Sequence, residues 1–214
     1  ASLLDRLDIA YPPSSTAETV EEAKGVARRV GYPLLVRPSY VLGGRGMAIV
    51  YDDDDLVKYM AAATQVSPDH PVYLDAFLED AVELDVDALA DGTDCDTEQC
   101  YVGAVLEHIE ECGIHSGDSA CCFPPFSLSD KIVAKIRETT RRLALSCHIQ
   151  GLLNVQYAVP DEQIFVIELN PRASRTVPFS SKATGVPLAK YAARIMSGEK
   201  ICDLGLPAED AERG

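Results

Sequence analysis

The segment from Asn154 to Arg175 constrains the fold most, because two apolar runs in it flank a short polar turn at 160–163. Apolar runs bounded by such a turn predict a β-hairpin. If residue 160 faces residue 164, the two strands bring Gln156 directly opposite Glu168. The hairpin therefore determines which side chains share one face of the predicted sheet.

One face of this hairpin collects side chains that suit a metal ion. Asn170 lies two residues beyond Glu168, so both point to the same side as Gln156. Three oxygen-bearing side chains, one of them anionic, form a partial shell for a hard cation such as Mg²⁺ or Mn²⁺. Arg172 and Arg175 follow at once, and a metal ion beside arginines is a common way to hold a polyphosphate.

The formal net charge of −15 over 214 residues excludes whole classes of partner. A chain this acidic is not expected to bind a nucleic-acid backbone or an anionic membrane surface. ATP stays compatible, because a few nearby arginines outweigh the overall field at contact distance. No apolar run reaches the ~18–20 residues of a transmembrane helix, and no signal-peptide pattern opens the chain. The chain begins at Ala1 without a Met, so we expect a piece of a longer protein.

The seven cysteines predict reduced thiols in an intracellular protein. Their number is odd and no Cys-x-x-Cys pair occurs, so neither a disulfide framework nor a zinc motif is indicated. His108, Cys112 and His115 have a spacing compatible with zinc. Gly113 argues against the continuous helix that would align them, so we do not predict a zinc site there.

Residues 1–75 have the pattern of a compact α/β lobe. A helix is expected from Thr16 to Val30, with Ser15 and Glu18 as a capping box. Two strand-like runs then flank a glycine-rich loop at 39–47, which suggests a flap whose backbone amides close over phosphates. A plain hairpin turn is the alternative, and the loop is not a P-loop because no Gly-Lys-Ser/Thr ends it.

Residues 76–200 carry longer strands and the predicted metal hairpin, so a second lobe is expected there, followed by a tail at 201–214 that frays from Pro207. The strict alternation of 82–89 places Glu83, Asp85 and Asp87 on one strand face, and a solvated face is its simplest interpretation. The polar loop at 110–119 is equally compatible with a plain turn and with a functional loop. Helices are expected at 129–148 and 188–196. A cleft between two α+β lobes fits this pattern.

Together these motifs resemble the ATP-grasp superfamily and, within it, the large subunit of carbamoyl phosphate synthetase. The matching runs cover most of the chain in order and lie at 31–47, 113–119, 154–158, 168–179 and 181–190. Tyr40-Val41-Leu42, Arg45 and His115-Ser116 are similar to the second of that subunit's two ATP-grasp halves, the half that phosphorylates carbamate.

The resemblance implies an α+β ATP-grasp fold in which two α/β lobes hold ATP between antiparallel sheets. Residues 1–75 would form the small lobe, or lid, and 76–200 the large lobe with the metal hairpin. It also implies that the chain begins after an N-terminal subdomain that normally precedes the lid and supplies an ATP-contacting arginine.

The resemblance further implies a role for each candidate site residue. Nucleotide contacts are implied for Arg37, Gly43, Gly44, Asp75, Ala76, Leu78, Glu83, Gly113, Ile114, His115 and Ser116. Two divalent ions, Mg²⁺ or Mn²⁺, are implied at Gln156, Glu168 and Asn170, and the first two of these also face the nucleotide. Action on the transferred phosphoryl group and its acceptor is implied for Arg172, Arg175 and Asn170.

The implied function is that of an ATP-dependent ligase that converts MgATP and carbamate into carbamoyl phosphate and ADP, for pyrimidine and arginine biosynthesis. The implied partners are a glutaminase small subunit and the rest of the large subunit. The expected location is cytoplasmic, with an organelle as the alternative. Two other functions stay open: an ATP-grasp ligase that activates a different carboxylate, and a non-catalytic nucleotide-binding or assembly domain. A purely structural module is disfavoured, since the flap and the metal hairpin would both be coincidences.

Overall fold

The structure, a computed structural model, describes residues 2–39, 46–66, 71–92, 99–114 and 118–209, with only the backbone described at 64–66. The chain divides into two compact units, Pro12–Glu79 and a larger one formed by Ala1–Tyr11 with Asp80–Gly214. These bounds differ from the expected lobes at 1–75 and 76–200. The first residues of the chain belong to the larger unit because Ile9 packs in its core and Ala10 O accepts a hydrogen bond from Val166 N.

The smaller unit is a four-stranded antiparallel sheet with two helices. Its strands lie in the order β1-β4-β2-β3. The elements are β1 (Ser14–Ala17), α2 (Val20–Val30), β2 (Leu34–Pro38), β3 (Ala48–Val50), α3 (Asp53–Val66) and β4 (Val72–Ala76). Buried apolar side chains from the sheet and both helices, such as Val26, Leu34, Leu56 and Leu74, form its core. Residues 40–45 of the predicted phosphate flap at 39–47 lie outside the described residues.

The start of α2 differs from the sequence prediction. The expected helix began at Thr16, but Ser14–Ala17 forms β1, in which Ser15 pairs with Leu74. Thr19 is the N-cap, with its side chain accepting a hydrogen bond of 3.2 Å from Glu22 N, and Glu22 Oε2 accepts one of 2.8 Å from Glu18 N. The N-cap therefore lies four residues later than Ser15, because strand pairing takes the earlier residues. Only the first hydrogen bond of a capping box forms, since Glu22 accepts from the backbone of Glu18 and not from that of Thr19.

The larger unit is a five-stranded antiparallel sheet in the order β7-β6-β5-β8-β9. Its elements are α1 (Ser2–Arg6), β5 (Val82–Asp91), β6 (Cys100–His108), β7 (Cys121–Cys122), α4 (Asp130–Ser146), β8 (Gln150–Val159), β9 (Phe165–Asn170), α5 (Val177–Thr184) and α6 (Leu188–Met196). Helix α4 packs with one set of sheet residues, and α5 and α6 pack with another. Within the described ranges, no helix is long and apolar enough to cross a membrane.

The β8–β9 hairpin confirms the predicted pairing of Gln156 with Glu168, but by a different route. Asp161 and Glu162 both have positive φ, 44° and 62°, and Gln163 N donates to Pro160 O at 2.8 Å. Residue 160 therefore faces residue 163, as in a two-residue I′ turn, and not residue 164. A register shift between Gln156 and Tyr157 then restores the pairing that the sequence analysis had assumed.

The expected tail at 201–214 is packed over most of its described length. Ile201–Asp203 forms a 3-10 helix, and Ile201 and Leu204 are buried among residues of α5 and α6. Glu209 Oε1 accepts a hydrogen bond of 2.7 Å from Val102 N, and the same carboxylate contacts Arg137 and Arg141 of α4. The chain therefore does not fray from Pro207 to Glu209, because that carboxylate has three partners; 210–214 lie outside the described residues.

Candidate functional site

The central strands of the larger unit bring the predicted metal ligands to one face of its sheet. Gln156 on β8 pairs with Glu168 on β9, and Asn154 pairs with Asn170. Because residues two apart share a face, Gln156, Glu168 and Asn170 lie on the same side. Glu168 is exposed, while Gln156 and Asn170 are half-buried. The grouping deduced from the sequence is therefore present in the fold.

Gln156 is oriented by a carboxylate that the metal prediction did not include. Its Nε2 donates to Oδ1 of Asp85 at 3.2 Å, and Asp85 lies opposite Gln156 on the neighbouring strand. An amide whose NH₂ group is held in this way keeps its oxygen as an acceptor. That oxygen, with the carboxylate of Glu168 and the amide oxygen of Asn170, is a donor set that fits a hard divalent cation.

Asp87 is a fully buried carboxylate that organises the segment after β9. It accepts hydrogen bonds from the hydroxyls of Ser174 and Thr176, both at 2.6 Å, and from that of Ser180 at 2.8 Å. Asn154 Nδ2 adds a fourth at 3.2 Å. A buried carboxylate needs such donors to offset its desolvation. The short segment 171–176, which carries both candidate arginines, is therefore tied to the middle of the sheet.

The two arginines of this segment are exposed. Arg172 Nη1 donates to Ala173 O at 3.0 Å, and Arg172 N donates to Asn170 O at 2.8 Å. The second contact links Arg172 to one of the candidate metal ligands through the backbone. Exposed guanidinium groups on a firmly held turn suit the recognition of anionic oxygens.

His108 joins two acidic side chains of β5. Its Nε2 lies 2.8 Å from Asp85 Oδ2, and its Nδ1 lies 3.4 Å from Glu83 Oε2. Burial by itself lowers the pKa of His108. Hydrogen bonds with Asp85, Cys121 and Glu83 outweigh this effect and raise the pKa to about 11. Burial likewise raises the pKa of Asp85, yet hydrogen bonds from His108, Asn154 and Gln156 bring it below its usual value. His108 and Asp85 therefore form a buried imidazolium–carboxylate pair at neutral pH.

Glu83 also contacts the loop that was predicted to line the nucleotide pocket. Its Oε1 accepts a hydrogen bond from Gly113 N at 3.4 Å and lies 3.5 Å from the thiol of Cys112. Burial and Glu83 raise the pKa of that thiol to about 12, so Cys112 stays protonated. Ile114 follows and is 45% exposed. Three residues predicted to bind nucleotide, Glu83, Gly113 and Ile114, thus lie together.

The smaller unit holds the other candidate nucleotide contacts that the structure describes. Arg37 Nε donates to Asp75 Oδ2 at 2.9 Å, and the guanidinium lies 5.2 Å from the centre of the Tyr73 ring. Ala76 and Leu78 follow on the same chain segment and are half-buried. The Arg37 side chain is half exposed, so this ion pair adds little stability and leaves the cation accessible. Gly43, Gly44, His115 and Ser116 lie outside the described residues.

Sequence reasoning missed the two buried acids that hold the site together. Asp85 is 4% exposed and Asp87 is fully buried, so the expected solvated face of β5 is wrong. Their partners Ser174, Thr176 and Ser180 were not singled out either. The alternation of 82–89 was the sequence signal that could have revealed these acids. An acid on a central strand that faces Asn154 and Gln156 has polar partners across the sheet.

Comparison with solved structures identifies the class of fold. A biotin carboxylase from Campylobacter jejuni, solved as a β-γ-ATP complex, superposes with a TM-score of 0.77 at 19% identity, over 97% of this chain and 46% of that chain. The biotin carboxylase domain of Hydrogenobacter thermophilus 2-oxoglutarate carboxylase, solved with MgADP, ADP and bicarbonate, gives 0.76 at 21% identity, over 93% and 44%. The two antiparallel sheets with their helices are an ATP-grasp fold.

Comparison of sequences identifies a family within this class of fold. The family described as "Carbamoyl-phosphate synthase L chain, ATP binding domain" matches residues 1–204, and this chain belongs to it. The carbamoyl phosphate synthase large chain of Methanothermobacter thermautotrophicus is 58% identical over 210 residues, and that of Synechocystis is 52% identical over 207. Each match covers 97% of this chain and 19% of the relative, so the chain spans about a fifth of their length.

Proposed function

We infer that this chain binds MgATP and phosphorylates carbamate, giving carbamoyl phosphate and ADP, as part of a carbamoyl phosphate synthase large chain. The observation that carries this proposal is the shared face of β8 and β9. There Gln156, Glu168 and Asn170 form an oxygen-rich donor set directly before the two arginines. Membership of the family and the ATP-grasp fold support the same reading.

Gln156, Glu168 and Asn170 would hold two divalent ions, Mg²⁺ or Mn²⁺. When bound, such ions neutralise the negative charge of the ATP phosphates. Asp85 supports this set from behind, because it fixes the amide of Gln156 without being exposed itself. Glu168 is the one anion among the three donors and is therefore the residue whose charge matters most for affinity.

The chain's own polar groups position the nucleotide. Glu83 accepts hydrogen bonds from the ribose hydroxyls in this proposal, and Gly113 N and His108 hold its carboxylate in place. Ile114 supplies apolar contact beside it. In the smaller unit, the proposal assigns contacts with phosphate oxygens to Arg37 and contacts with the base to Asp75, Ala76 and Leu78.

Arg172 and Arg175 act where the phosphoryl group is transferred. Phosphoryl transfer needs little covalent help from a protein, but it needs the donor and acceptor in line and their charge neutralised. Carbamate is a small planar carboxylate-like anion, and a guanidinium matches two of its oxygens at once. The hydrogen bonds from Ser174 and Thr176 to Asp87 keep both arginines on a rigid support.

The activity of the whole enzyme requires parts beyond this sequence. We propose that a glutaminase subunit supplies nitrogen and that the remainder of the large chain supplies carbamate, so that the product serves pyrimidine and arginine synthesis. A second candidate is an ATP-grasp ligase that activates another carboxylate, which the likeness to biotin carboxylases favours.

Calorimetric titration with a non-hydrolysable ATP analogue, with and without Mg²⁺, tests the core of the proposal. We expect Mg²⁺ to strengthen binding of the analogue to the wild type. In the Glu168→Gln variant, this Mg²⁺-dependent part of the binding should be lost. Equal binding with and without Mg²⁺ would contradict the metal assignment. In the full-length chain, ADP release that depends on carbamate supports the carbamate reaction, and ADP release that depends on bicarbonate or another carboxylate supports the second candidate.

A further inference from the structure

Asn154 is a buried amide that lies between the two buried acids of β5. Its Nδ2 donates to Oδ1 of Asp85 at 3.0 Å and to Oδ1 of Asp87 at 3.2 Å. Strand pairing explains the double contact, because Asn154 of β8 lies opposite Asp87, and Asp85 is on the same face of β5 two residues earlier. A side-chain NH₂ group carries two N–H bonds. One amide can therefore serve both carboxylates at once, and Asn154 is a bridge between them.

On one side, this bridge leads to the candidate metal ligands. The oxygen of Asp85 that accepts from Asn154 also accepts from Nε2 of Gln156, at 3.2 Å. In addition, Asn154 pairs with Asn170 across the β8–β9 ladder. Asn154 therefore adjoins two of the three candidate ligands, one through a shared carboxylate oxygen and the other through strand pairing. Polar groups behind metal ligands commonly set the orientation of those ligands.

On the other side, the bridge leads to the two arginines. The oxygen of Asp87 that accepts from Asn154 also accepts from the hydroxyl of Ser174, at 2.6 Å. Ser174 lies between Arg172 and Arg175 in the sequence. The amide and the segment that carries both guanidinium groups thus share one carboxylate oxygen. In a buried network of this kind, the loss of one donor alters the geometry of the others.

We propose that Asn154 is a positioning residue that holds the candidate metal ligands and the two arginines in a fixed relation to each other. This inference rests on the proposed function, because both groups belong to the site assigned there. Phosphoryl transfer needs the ATP phosphates and the acceptor in line, so the groups that hold them must keep their separation. Asparagine suits this place because it is neutral and donates twice. Aspartate would add a third carboxylate, and serine would donate only once.

Removal of the Asn154 amide should leave the protein folded, because each acid keeps other donors. Asp85 retains its contact with His108 Nε2 at 2.8 Å and its hydrogen bond from Gln156. Asp87 retains three hydroxyl donors, those of Ser174, Thr176 and Ser180. Asn154→Ala therefore breaks the link between the two acids without leaving either of them unpartnered.

Three measurements on Asn154→Ala in the full-length chain test the link. Without nucleotide or metal, hydrogen exchange read by mass spectrometry should be faster at 171–176, since the anchor of that segment is loosened. In calorimetry with a non-hydrolysable ATP analogue, the Mg²⁺ concentration that gives half of the enhancement should rise by roughly 10- to 100-fold. Binding without Mg²⁺ should not change. Carbamate-dependent kcat should fall by roughly 10²-fold.

Two further variants sharpen the test. Asn154→Asp has nearly the same shape as the wild type but lacks the NH₂ group, so we expect the same three changes from it. Circular dichroism checks that each variant is folded. Ser174→Ala acts through the same oxygen of Asp87 as Asn154 does. Asn154→Ala and Ser174→Ala should therefore lower kcat by less together than the product of their separate effects.

Thr140→Val is the matched control, because it removes buried hydrogen bonds elsewhere in the same unit. Thr140 is fully buried, and its hydroxyl lies 2.7 Å from the Tyr157 hydroxyl on β8 and 2.9 Å from Ile136 O. Valine keeps the shape of threonine and loses both contacts. The variant should be less stable, but its Mg²⁺ response, its kcat and the exchange at 171–176 should match the wild type.

The outcomes separate this inference from the proposed function. If the wild type responds to Mg²⁺ and Asn154→Ala behaves like Thr140→Val, Asn154 has only a structural role and the inference is wrong. The same holds if Asn154→Ala alters the Mg²⁺ response alone or kcat alone, since the two groups are then not linked. The proposed function stands in either case. A wild type whose analogue binding ignores Mg²⁺ would overturn the proposed function and this inference with it.

Discussion

Ser174 donates its hydroxyl hydrogen bond to Oδ1 of Asp87 at 2.6 Å. This contact joins the segment that carries Arg172 and Arg175 to a fully buried carboxylate in the centre of the larger sheet. Thr176 and Ser180 donate to the other carboxylate oxygen. The exposed arginines therefore depend for their position on a fully buried residue.

Asp87→Asn should weaken both the fold and phosphoryl transfer. The amide has one acceptor oxygen and an NH₂ group that would face hydroxyls now donating to the carboxylate, so we expect a loss of about 1–3 kcal/mol in unfolding free energy, measured by urea denaturation. The arginines would also shift, and a misplacement of about 1 Å costs roughly 10²-fold in rate. Carbamate-dependent ADP release should fall, while nucleotide affinity, which the proposed function assigns to other residues such as Glu83, should change little.

The control for this variant is Asp203→Asn, which changes an exposed acid of the same unit. It should leave stability and turnover unchanged. If Asp87→Asn lowered stability but left turnover unaltered, Asp87 would support the fold without positioning the arginines.

Arg172→Lys should not behave as a conservative change. Lysine keeps the charge but loses the planar fork that matches two oxygens of a phosphoryl group or of carbamate. We expect turnover in the full-length chain to fall by about 10²-fold, with the affinity for ATP nearly unchanged, because the interaction belongs to the transfer step. Arg29→Lys, on the exposed end of α2, is the control and should retain full turnover. Equal rates for both variants would contradict the role of Arg172.

Glu168→Gln should abolish metal-dependent ATP turnover while the protein stays folded. Glu168 is the one anion of the candidate metal set and is exposed, so neutralising it removes affinity for the ion without leaving a buried group unpaired. ADP release measured against Mg²⁺ concentration checks this. Glu162→Gln changes a glutamate at the turn of the same hairpin and should have no effect. Wild-type turnover in Glu168→Gln would refute the metal role.

The hairpin could be predicted from sequence because its signals are local. A Pro-Asp-Glu turn between two apolar runs specifies two paired strands, and alternation then assigns Gln156, Glu168 and Asn170 to one face. The turn itself was predicted one residue out of register. The predicted pairing of Gln156 with Glu168 still holds, because the irregularity at Gln156 and Tyr157 shifts the strands by one residue. No feature of the local sequence predicts such a bulge.

The buried acids could not be predicted in the same way, because their partners are distant in sequence. Asp87 is held by three hydroxyl groups that lie 87 to 93 positions later in the chain, at 174–180. The acidic face of an alternating strand is usually exposed to solvent. The acids of β5 are buried only because strands pair with it on both sides. The start of α2 was predicted wrongly for the same reason. Ser15 is a residue type that caps helices well, but its strand pairing with the distant Leu74 determines its structure.

The stability of the larger unit should fall as the pH rises above neutrality. The pKa of His108 is raised from 6.5 to about 11, so between these values the folded state holds a proton that the unfolded state has released. Stability from this group is therefore complete below about pH 6.5 and lost as pH approaches 11. Linkage limits the slope from one proton to about 1.4 kcal/mol per pH unit.

Urea unfolding between pH 6.5 and 10, with a chelator present to remove metal ions, measures this slope. His108→Gln should flatten the decline, since it removes the titrating group from both states. His148→Asn is the control, because His148 is exposed and its φ of 51° suits asparagine. An equal slope in the wild type and His108→Gln would show that the decline has another origin.

Gly103→Ala should destabilise the larger unit through α6. Gly103 is the residue skipped where β5 and β6 change register, and a Cβ there would lie 2.7 Å from Leu188 Cδ2 and 3.3 Å from Asp87 O. Leu188 is fully buried, so it cannot move aside freely. We expect a loss of about 1–3 kcal/mol in unfolding free energy, measured by urea denaturation.

Gly25→Ala in α2 is the matched control, because nothing lies within 4 Å of a Cβ added at that position. Alanine there should instead stabilise the helix by about 1 kcal/mol through its higher helix propensity. Shortening the obstructing side chain supplies a second test. If the clash with Leu188 is the cause, Leu188→Ala and Gly103→Ala should cost less together than the sum of their separate effects, since one variant makes the space that the other fills. Additive losses would place the cost of Gly103→Ala in the backbone beside Asp87 and not in the contact with α6.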